Sequence, residues 1–273
     1  MCEAKYQLLK GYFKELGKVA IAFSSGVDST FLLKTAHDVL GDNAIALTAK
    51  SPAFSSRELE DAISFCKNEK IRQLVIDIEV LRSPEFTENP PDRCYICKQL
   101  IFKKLIEVAK ENGITTICEG SNIDDDKDYR PGFKAITELG IQSPLRMYHF
   151  SKKEIRDLSQ KLGLNTWNKP SFACLASRFV YGETITREKL DWVEKSEQLL
   201  FEMGFKQFRV RIHGTIARIE VLPEEIPMII EHREKIVHVL KTIGFSYVTL
   251  DLLGYRMGSM NANLKNVTTQ PIS

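Results

Sequence analysis

The sequence lacks long apolar runs and carries almost no net charge. Residues 1–5 have no apolar signal core, and no later segment is apolar over the length that spans a bilayer. We therefore expect a cytoplasmic protein with no membrane partner. The 38 basic and 36 acidic side chains leave a formal charge of +2. This balance disfavours nucleic acid as a partner, because dedicated nucleic-acid binders present a strongly basic face.

Internal repeats, low-complexity tracts and heptad patterns are also missing, which excludes solenoid and coiled-coil architectures. The composition is that of an ordinary globular protein, with 43% hydrophobic residues. Short apolar runs alternate with amphipathic segments along the chain, and this alternation predicts an α/β fold with a doubly wound parallel sheet. The predicted strands cover residues 18–23, 44–49, 73–78 and 115–119, and the predicted helices cover residues 30–40, 57–70 and 99–112.

A capping box of Ser151 and Glu154 predicts one more helix, which Gly163 ends. Beyond about Tyr181 the periodicity changes to that of a small α+β module. We therefore expect two domains, a catalytic domain over residues 1–180 and a smaller module over residues 181–273. The module is predicted to contain helix 187–203, strands 208–213 and 217–221, helix 226–243 and strand 245–250.

Residues 23–30 read Phe-Ser-Ser-Gly-Val-Asp-Ser-Thr and lie where a predicted strand meets a predicted helix. Backbone amides and the helix dipole attract an anionic phosphate at such a junction. The Gly-Lys-Ser/Thr ending of loops that hold the β and γ phosphates together is absent. The segment resembles the PP-loop of the ATP pyrophosphatase superfamily, usually Ser-Gly-Gly-x-Asp-Ser, which cleaves ATP between the α and β phosphates. The ATP-binding candidates here are Ser24, Ser25, Gly26, Asp28 and Ser29.

Ser25 stands at the position of the first glycine of that motif. Its hydroxyl adds a hydrogen-bond donor, and we expect the backbone to tolerate the side chain through a negative φ. A helix N-cap and first turn could also produce Asp28 and Ser29 for structural reasons alone.

Two further polar loops follow predicted strands, at the edge where open parallel sheets bind ligands. The first contains Thr48 and Ser51, and the second contains Gly120 and Asp125. The superfamily resemblance implies that the first loop holds the adenosine and that the second closes over the nucleotide. Ordinary turn chemistry is the alternative for each loop, because turns favour the same residue types.

The six cysteines are not expected to form structural disulfides in a reducing compartment. Cys94 and Cys97 form a Cys-x-x-Cys motif just ahead of a predicted helix, and Cys174 follows far downstream. Three thiolates can bind three irons of a cubane cluster and leave the fourth iron open for a labile sulfide. A redox pair and unligated thiols are the alternatives, and no histidine pairs with these cysteines at the spacing of a zinc site. Cys66 and Cys118 are expected in the core.

Five segments together are similar to the LarE family of ATP-dependent sulfur transferases, and the similarity spans nearly the whole chain. The resemblance implies a PP-loop fold of the adenine nucleotide alpha hydrolase type. It implies that the carboxylates of pyridinium-3,5-biscarboxylic acid mononucleotide are adenylated and converted to thiocarboxylates, for the nickel-pincer nucleotide cofactor of lactate racemase. The segments are residues 24–30, 46–52, 120–125, 128–132 and 169–178.

In the best-known form of the family, a single cysteine at the position of Cys174 gives up its own sulfur. Because Cys94 and Cys97 are also present, this chain resembles instead the three-cysteine branch, in which a 4Fe-4S cluster carries an extra sulfide. The resemblance further implies Mg²⁺ with the ATP and a homo-oligomer such as a hexamer. It assigns catalytic roles to Asp28, Ser29 and Cys174, and no motif identifies the sulfur donor that reloads the site.

Two arginines alternate on one predicted strand, so that both side chains project to the same face. Forked, charge-assisted bonds from such residues suit the phosphate of the substrate, and an exposed basic face is the alternative. The candidate substrate ligands are Ser177, Arg178, Arg209 and Arg211, while Glu197 and Glu220 could hold a second metal or pair with these arginines.

Two other functions share part of the pattern. A tRNA thiolase with a three-cysteine cluster would carry zinc-binding or RNA-binding parts, and the sequence has no zinc-ribbon pair and no aromatic-basic interleaving. A subunit that only binds nucleotide would have a degenerate loop, whereas residues 24–29 are intact.

Overall fold

The first sheet forms from the apolar runs of the first half of the chain. Its strands are β1 (Val19–Ala22), β2 (Ala44–Lys50), β3 (Gln73–Asp77) and β4 (Ile117–Cys118). In this computed structural model, which describes residues 2–127, 131–256 and 258–261, all four are parallel and lie in the order β3, β2, β1, β4. The predicted α/β fold class is confirmed. The chain order reverses between β1 and β4, which is where open α/β sheets bind ligands.

Helices follow the strands of this sheet, and the capping box of Ser151 and Glu154 is confirmed at the start of the last of them. None of the helices among the described residues is both long enough and apolar enough to cross a membrane. The helices up to residue 161 are α1 (Cys2–Leu16), α2 (Val27–Leu40), α3 (Ser56–Asn68), α4 (Pro84–Thr87), α5 (Arg93–Glu111), α6 (Gly132–Glu138), α7 (Pro144–Met147) and α8 (Lys152–Lys161).

Helix α1 was not predicted, although its sequence has a helical pattern. Tyr6, Leu9 and Phe13 recur at helical spacing and are buried. They pack in the hydrophobic core with Phe31 of α2 and Ile155 of α8. Helix α1 therefore packs with α2 and α8 in the hydrophobic core beside the sheet.

The structure corrects the expected position of the Cys-x-x-Cys motif. Helix α5 begins at Arg93, so Cys94 and Cys97 lie within its first turns and not ahead of it. The helix starts earlier because Asp92 serves as the N-cap position and its carbonyl accepts a bond from the amide of Tyr95, 2.8 Å away.

The chain divides into two compact units. The first comprises the described residues of Met1–Val80 and Asp92–Phe172, and the second those of Leu81–Pro91 and Ala173–Ser273. The observed division thus falls at residue 172, and residues 81–91 join the second unit, which sequence periodicity does not indicate.

The second unit contains a three-stranded mixed sheet. Its strands are β5 (Phe208–His213), β6 (Ile216–Val221) and β7 (Tyr247–Leu250), with β5 antiparallel and β7 parallel to β6. Its helices are α9 (Arg187–Glu202), α10 (Ile226–Glu231) and α11 (Arg233–Ile243). The prediction of one helix over residues 226–243 is wrong, because the backbone of His232, with φ −96° and ψ 11°, interrupts it.

Candidate active site

The loop between β1 and α2 has the geometry of an anion site. Gly26 occupies the N-cap of α2 and carries no side chain that could cover the first amides of the helix. The hydroxyls of Ser24 and Ser29 lie 3.2 Å apart, and Ser29 also donates to the carbonyl of Gly26 at 3.2 Å. Two hydroxyls and the amino end of a helix therefore converge on one side of the loop, which suits a phosphate oxygen.

The prediction of a negative φ for Ser25 is wrong. Its φ is +55°, a left-handed conformation that costs an L-residue roughly 1–2 kcal/mol. The side chain is buried, and its Oγ donates to the carbonyl of Glu58 at 2.9 Å. Lys169 donates to both the carbonyl and the hydroxyl of Ser25 at 3.2 Å. These bonds offset the backbone strain that a glycine would avoid.

Asp28, in the first turn of α2, is held by two neighbours from later in the chain. Its Oδ2 lies 2.5 Å from Nζ of Lys152, and its Oδ1 accepts a bond from Nδ2 of Asn122 at 3.3 Å. Burial raises the pKa of the Asp28 carboxyl above its ordinary value, although the charge and hydrogen bond of Lys152 oppose this rise. The loop that lacks a lysine of its own thus receives a cation from the start of α8.

The loop after β4 approaches the same turn of α2. A Cβ placed on Gly120 would lie 2.9 Å from the backbone nitrogen of Ser29, so only glycine fits there without displacement. Asp125 accepts a bond from the amide of Asn122 at 2.9 Å. Gly120 is therefore needed where two backbones meet, and Asp125 holds the shape of its own loop.

Glu119 anchors the base of that loop. Its carboxylate accepts hydrogen bonds from the hydroxyls of Ser121 at 2.7 Å and Ser143 at 2.5 Å. These bonds attach the loop to the segment that leads into α7.

Thr48 and Ser51 lie at the carboxyl end of β2, next to β1 in the sheet, and both are buried. Thr48 Oγ1 accepts a bond from Nε2 of Gln73 at 2.8 Å, and Ser51 Oγ accepts one from the amide of Ala53 at 3.3 Å. The three predicted nucleotide loops thus follow β1, β2 and β4, which are adjacent strands.

The three candidate cluster ligands belong to different units. Cys94 is exposed and Cys97 is buried, and both lie on α5 of the first unit. Cys174 is half-buried and precedes a short 3₁₀ helix, Leu175–Arg178, in the second unit. Within residues 2–127, 131–256 and 258–261, no group of three or more His, Cys, Asp or Glu side chains is arranged to hold a metal ion.

Arg178 in the second unit is 1% exposed and makes a two-point ion pair with Glu197, with bonds of 2.8 and 2.9 Å. Its Nη1 donates to the carbonyls of Ala173 at 2.8 Å and Cys174 at 3.1 Å, and to the hydroxyl of Ser177 at 2.8 Å. Burial alone would raise the pKa of Glu197, but Arg178 holds it below its ordinary value. Arg178 therefore orders the turn that carries Cys174.

Arg209 and Arg211 are both buried on β5. Arg211 pairs with Glu220 of β6 at 2.8 Å and donates to the carbonyl of Ser177 at 3.1 Å. Burial, followed by the charge of Arg178, lowers the pKa of Arg209 to about 10. Glu197 thus pairs with Arg178, and Glu220 pairs with Arg211.

Four residues at these sites were not identified from the sequence: Gln73, Asn122, Lys152 and Lys169. Lys152 is 124 positions from Asp28 along the chain, and Lys169 is 144 positions from Ser25. Local patterns carry no signal for such pairs. Asn122 and Lys169 do lie within the segments 120–125 and 169–178 that carry the family resemblance, but their partners lie outside those segments.

No protein-family profile matches the chain. An uncharacterised protein of Synechocystis is 43% identical to it over 96% of this chain and 98% of that protein. The pyridinium-3,5-bisthiocarboxylic acid mononucleotide synthase of Lactiplantibacillus plantarum is 38% identical over 95% of each chain. The argininosuccinate synthase of Ligilactobacillus salivarius is a more distant relative, 28% identical over 55% of this chain and 40% of that protein.

The similarity to the L. plantarum synthase extends along both chains almost in full, so it includes both units and not the nucleotide loops alone. The more distant relative matches only part of the chain, as expected for a shared ATP-using domain. The chain is therefore an ATP-dependent enzyme of the PP-loop superfamily and belongs to the pyridinium-3,5-bisthiocarboxylic acid mononucleotide synthase (LarE) family.

Proposed function

We propose that this enzyme adenylates the carboxylates of pyridinium-3,5-biscarboxylic acid mononucleotide, releases pyrophosphate, and converts the acyl adenylates to thiocarboxylates. The observation that carries the proposal is the 38% identity with the L. plantarum synthase over 95% of both chains. The β1–α2 loop supports it, because its hydroxyls and helix amides suit a pyrophosphate leaving group.

In the first step, a substrate carboxylate attacks the α phosphorus of ATP. Ser24, Ser29 and the first amides of α2 would bind the pyrophosphate as it leaves, and Lys152 would add positive charge beside it. Asp28 offers the hard oxygen donors that Mg²⁺ prefers, and Mg²⁺, when bound there, would neutralise phosphate charge. Thr48, Ser51, Gly120 and Asp125 would surround the rest of the nucleotide.

In the second step, AMP leaves as sulfur attacks the activated carbonyl carbon. Cys94, Cys97 and Cys174 have the soft thiolate donors that a 4Fe-4S cluster needs, and a set of three would leave one iron open. A cluster held there would supply bound sulfide as the nucleophile. Arg178 would hold the Cys174 turn in place through its bonds to the carbonyls of Ala173 and Cys174.

The second unit would bind the phosphate of the substrate. It contains a buried or half-buried group of four arginines and three carboxylates, which leaves one net positive charge, four minus three. The group consists of Arg178, Arg209, Arg211, Arg218, Glu197, Glu220 and Asp251. We propose that Ser177, Arg209 and Arg211 contact this phosphate.

We also propose that the module over residues 181–273 joins subunits in a homo-oligomer. Light scattering of the purified protein measures that assembly.

The proposed reaction is tested with ATP, the biscarboxylic acid mononucleotide and the anaerobically reconstituted enzyme. We expect AMP and pyrophosphate in equal amounts, and a product whose mass shows replacement of oxygen by sulfur. Unmodified transfer RNA serves as the control substrate. Formation of ADP, or sulfur incorporation into the RNA and not the mononucleotide, would contradict the proposal.

The cluster is tested separately by iron and acid-labile sulfide assays. We expect about four irons per chain in the reconstituted wild type and loss of the cluster in Cys94→Ala, Cys97→Ala and Cys174→Ala. Cys66→Ala is the matched control, because Cys66 is a buried core residue on α3. If no cluster forms, Cys174 becomes the candidate sacrificial donor, and its mass loss after turnover would identify it.

A further inference from the structure

Ser25 has an unusual backbone for a residue with a side chain. It is one of four non-glycine residues with positive φ among those described, and it is only 1% exposed. It lies between Ser24 and Gly26, directly before the first turn of α2. Its conformation therefore sets the direction in which the hydroxyl of Ser24 and the first helix amides point.

A lysine from a distant loop contacts Ser25 at two atoms. Nζ of Lys169 lies 3.2 Å from both the carbonyl oxygen and Oγ of Ser25, and 2.8 Å from Oδ2 of Asp61. Asp61 belongs to α3, as does Glu58, whose carbonyl accepts the bond from Ser25 Oγ. Lys169 and α3 thus hold the same residue from two directions.

Lys169 is itself fixed by α8. Arg156 of that helix donates to the carbonyls of Trp167 at 2.6 Å and Lys169 at 2.9 Å. The Lys169 side chain is 16% exposed, so most of it lies out of water. This arrangement is specific, since the ammonium group uses a carboxylate, a carbonyl and a hydroxyl as its acceptors.

We propose that Lys169 is a positioning residue that holds the strained backbone of Ser25 in the conformation that binds pyrophosphate. A glycine at position 25 would reach positive φ without this support. The requirement for Lys169 is therefore a consequence of serine at this position. The proposal rests on the proposed function for its effect on ligand binding, but the ordering of the loop does not depend on it.

The first test measures loop order without any ligand. Hydrogen–deuterium exchange of residues 23–30 is compared in the wild type, Lys169→Met, Ser25→Gly and the double variant, with Lys153→Met as control. Lys153 is a good match because it forms a surface ion pair with Asp157 and its side chain is 83% exposed. We expect faster exchange in Lys169→Met and wild-type exchange in the control. Unchanged exchange in Lys169→Met would overturn the proposal.

The second test measures pyrophosphate affinity by calorimetry in the same variants. We expect Lys169→Met to raise the dissociation constant about tenfold, and Lys169→Arg to restore most of the affinity. In the Ser25→Gly background, Lys169→Met should raise the dissociation constant by no more than about threefold. An equal loss in both backgrounds would mean that Lys169 contacts the ligand directly, and it would overturn the positioning role.

Failure of the proposed function gives a different result. If wild type binds no pyrophosphate while Lys169→Met still speeds exchange of residues 23–30, the ATP chemistry is wrong and the support of Ser25 stands. If Lys169→Met lowers only the melting temperature, with affinity and exchange unchanged, the lysine is structural and the inference fails.

Discussion

The ammonium group of Lys152 and the carboxylate of Asp28 lie 2.5 Å apart, although 124 positions separate them along the chain. Lys152 is the first residue of α8 and Asp28 belongs to the first turn of α2. The contact brings a cation to the loop between β1 and α2, where residues 23–26 include no basic side chain.

We expect Lys152→Met to weaken ATP binding, because it removes a positive charge and leaves the half-buried Asp28 carboxylate without its counter-ion. The free energy of unfolding should fall by about 1–3 kcal/mol. Adding Asp28→Asn should recover part of that stability, since a neutral amide needs no partner. Urea unfolding measures the stability of both variants, and ATP titration measures their affinity. Lys153→Met is the control and should match the wild type in both. Equal stability of the single and double variants would contradict an interaction between the two residues.

Gly120→Ala should displace the first turn of α2, because the new Cβ would lie 2.9 Å from the backbone nitrogen of Ser29. We expect a stability loss of about 1–3 kcal/mol and a higher KM for ATP. Gly11→Ala is the matched control, since nothing lies within 4 Å of a Cβ at that helical position. It should be neutral or slightly stabilising. Wild-type kinetics in Gly120→Ala would show that the two backbones can separate freely.

Arg178→Lys should destabilise the second unit by about 1–3 kcal/mol, because an ammonium group keeps the charge but cannot reproduce the two-point pair with the buried Glu197. The pKa of Glu197 is held below its ordinary value, so the pair contributes stability at neutral pH that is lost as the pH falls through the folded pKa. Denaturant unfolding between pH 7 and pH 3 measures the free energy of unfolding of the variant and of the wild type. The difference between the two should become smaller as the pH falls. Arg233→Lys is the control, because Arg233 forms an exposed pair with Glu234, and it should leave the free energy of unfolding unchanged. If the difference between Arg178→Lys and the wild type does not depend on pH, the ion pair is not its cause.

Glu154→Gln should weaken the contact between α1 and α8. Glu154 accepts bonds from Lys5 at 2.8 Å and from the amide of Ser151 at 2.9 Å. Burial would raise the pKa of Glu154, but these bonds hold it below its ordinary value. We expect the free energy of unfolding to fall by about 1–2 kcal/mol at pH 7. This difference should disappear as the pH falls through the lowered pKa of Glu154 in the folded protein. Glu107→Gln is the control, because Glu107 forms a surface pair with Lys104. If the stability loss of Glu154→Gln persists in acid, the charge of Glu154 is not its cause.

Thiol labelling should separate the cysteines by environment. Burial raises the pKa of Cys66 and of Cys118 to about 12 each, so their reactive thiolates are scarce at neutral pH. Cys94 is exposed and should react with iodoacetamide first in the protein without cluster. Mass spectrometry of timed samples checks the order, with urea-unfolded protein as the control in which all six react. Early labelling of Cys118 would mean that β4 opens readily.

The sequence alone determined the fold class and the strand-to-helix junction at residues 23–30. Apolar runs of strand length separated by amphipathic helices are local patterns, as is the junction at residues 23–30, and local patterns are readable because they depend on near neighbours. The capping box at Ser151 is likewise local and is present as expected. The start of α5 and the break at His232 were misjudged, since helix ends depend on single backbone conformations that many residues can adopt.

The tertiary structure alone decided which charges meet. Lys152 reaches Asp28, Lys169 reaches Ser25, and Arg178 turns inward to Glu197 and the carbonyl of Cys174. Such pairs form because folding brings distant segments together and removes water, so each buried polar group needs a partner. The positive φ of Ser25 is decided in the same way, because only the bonds around that residue offset its strain.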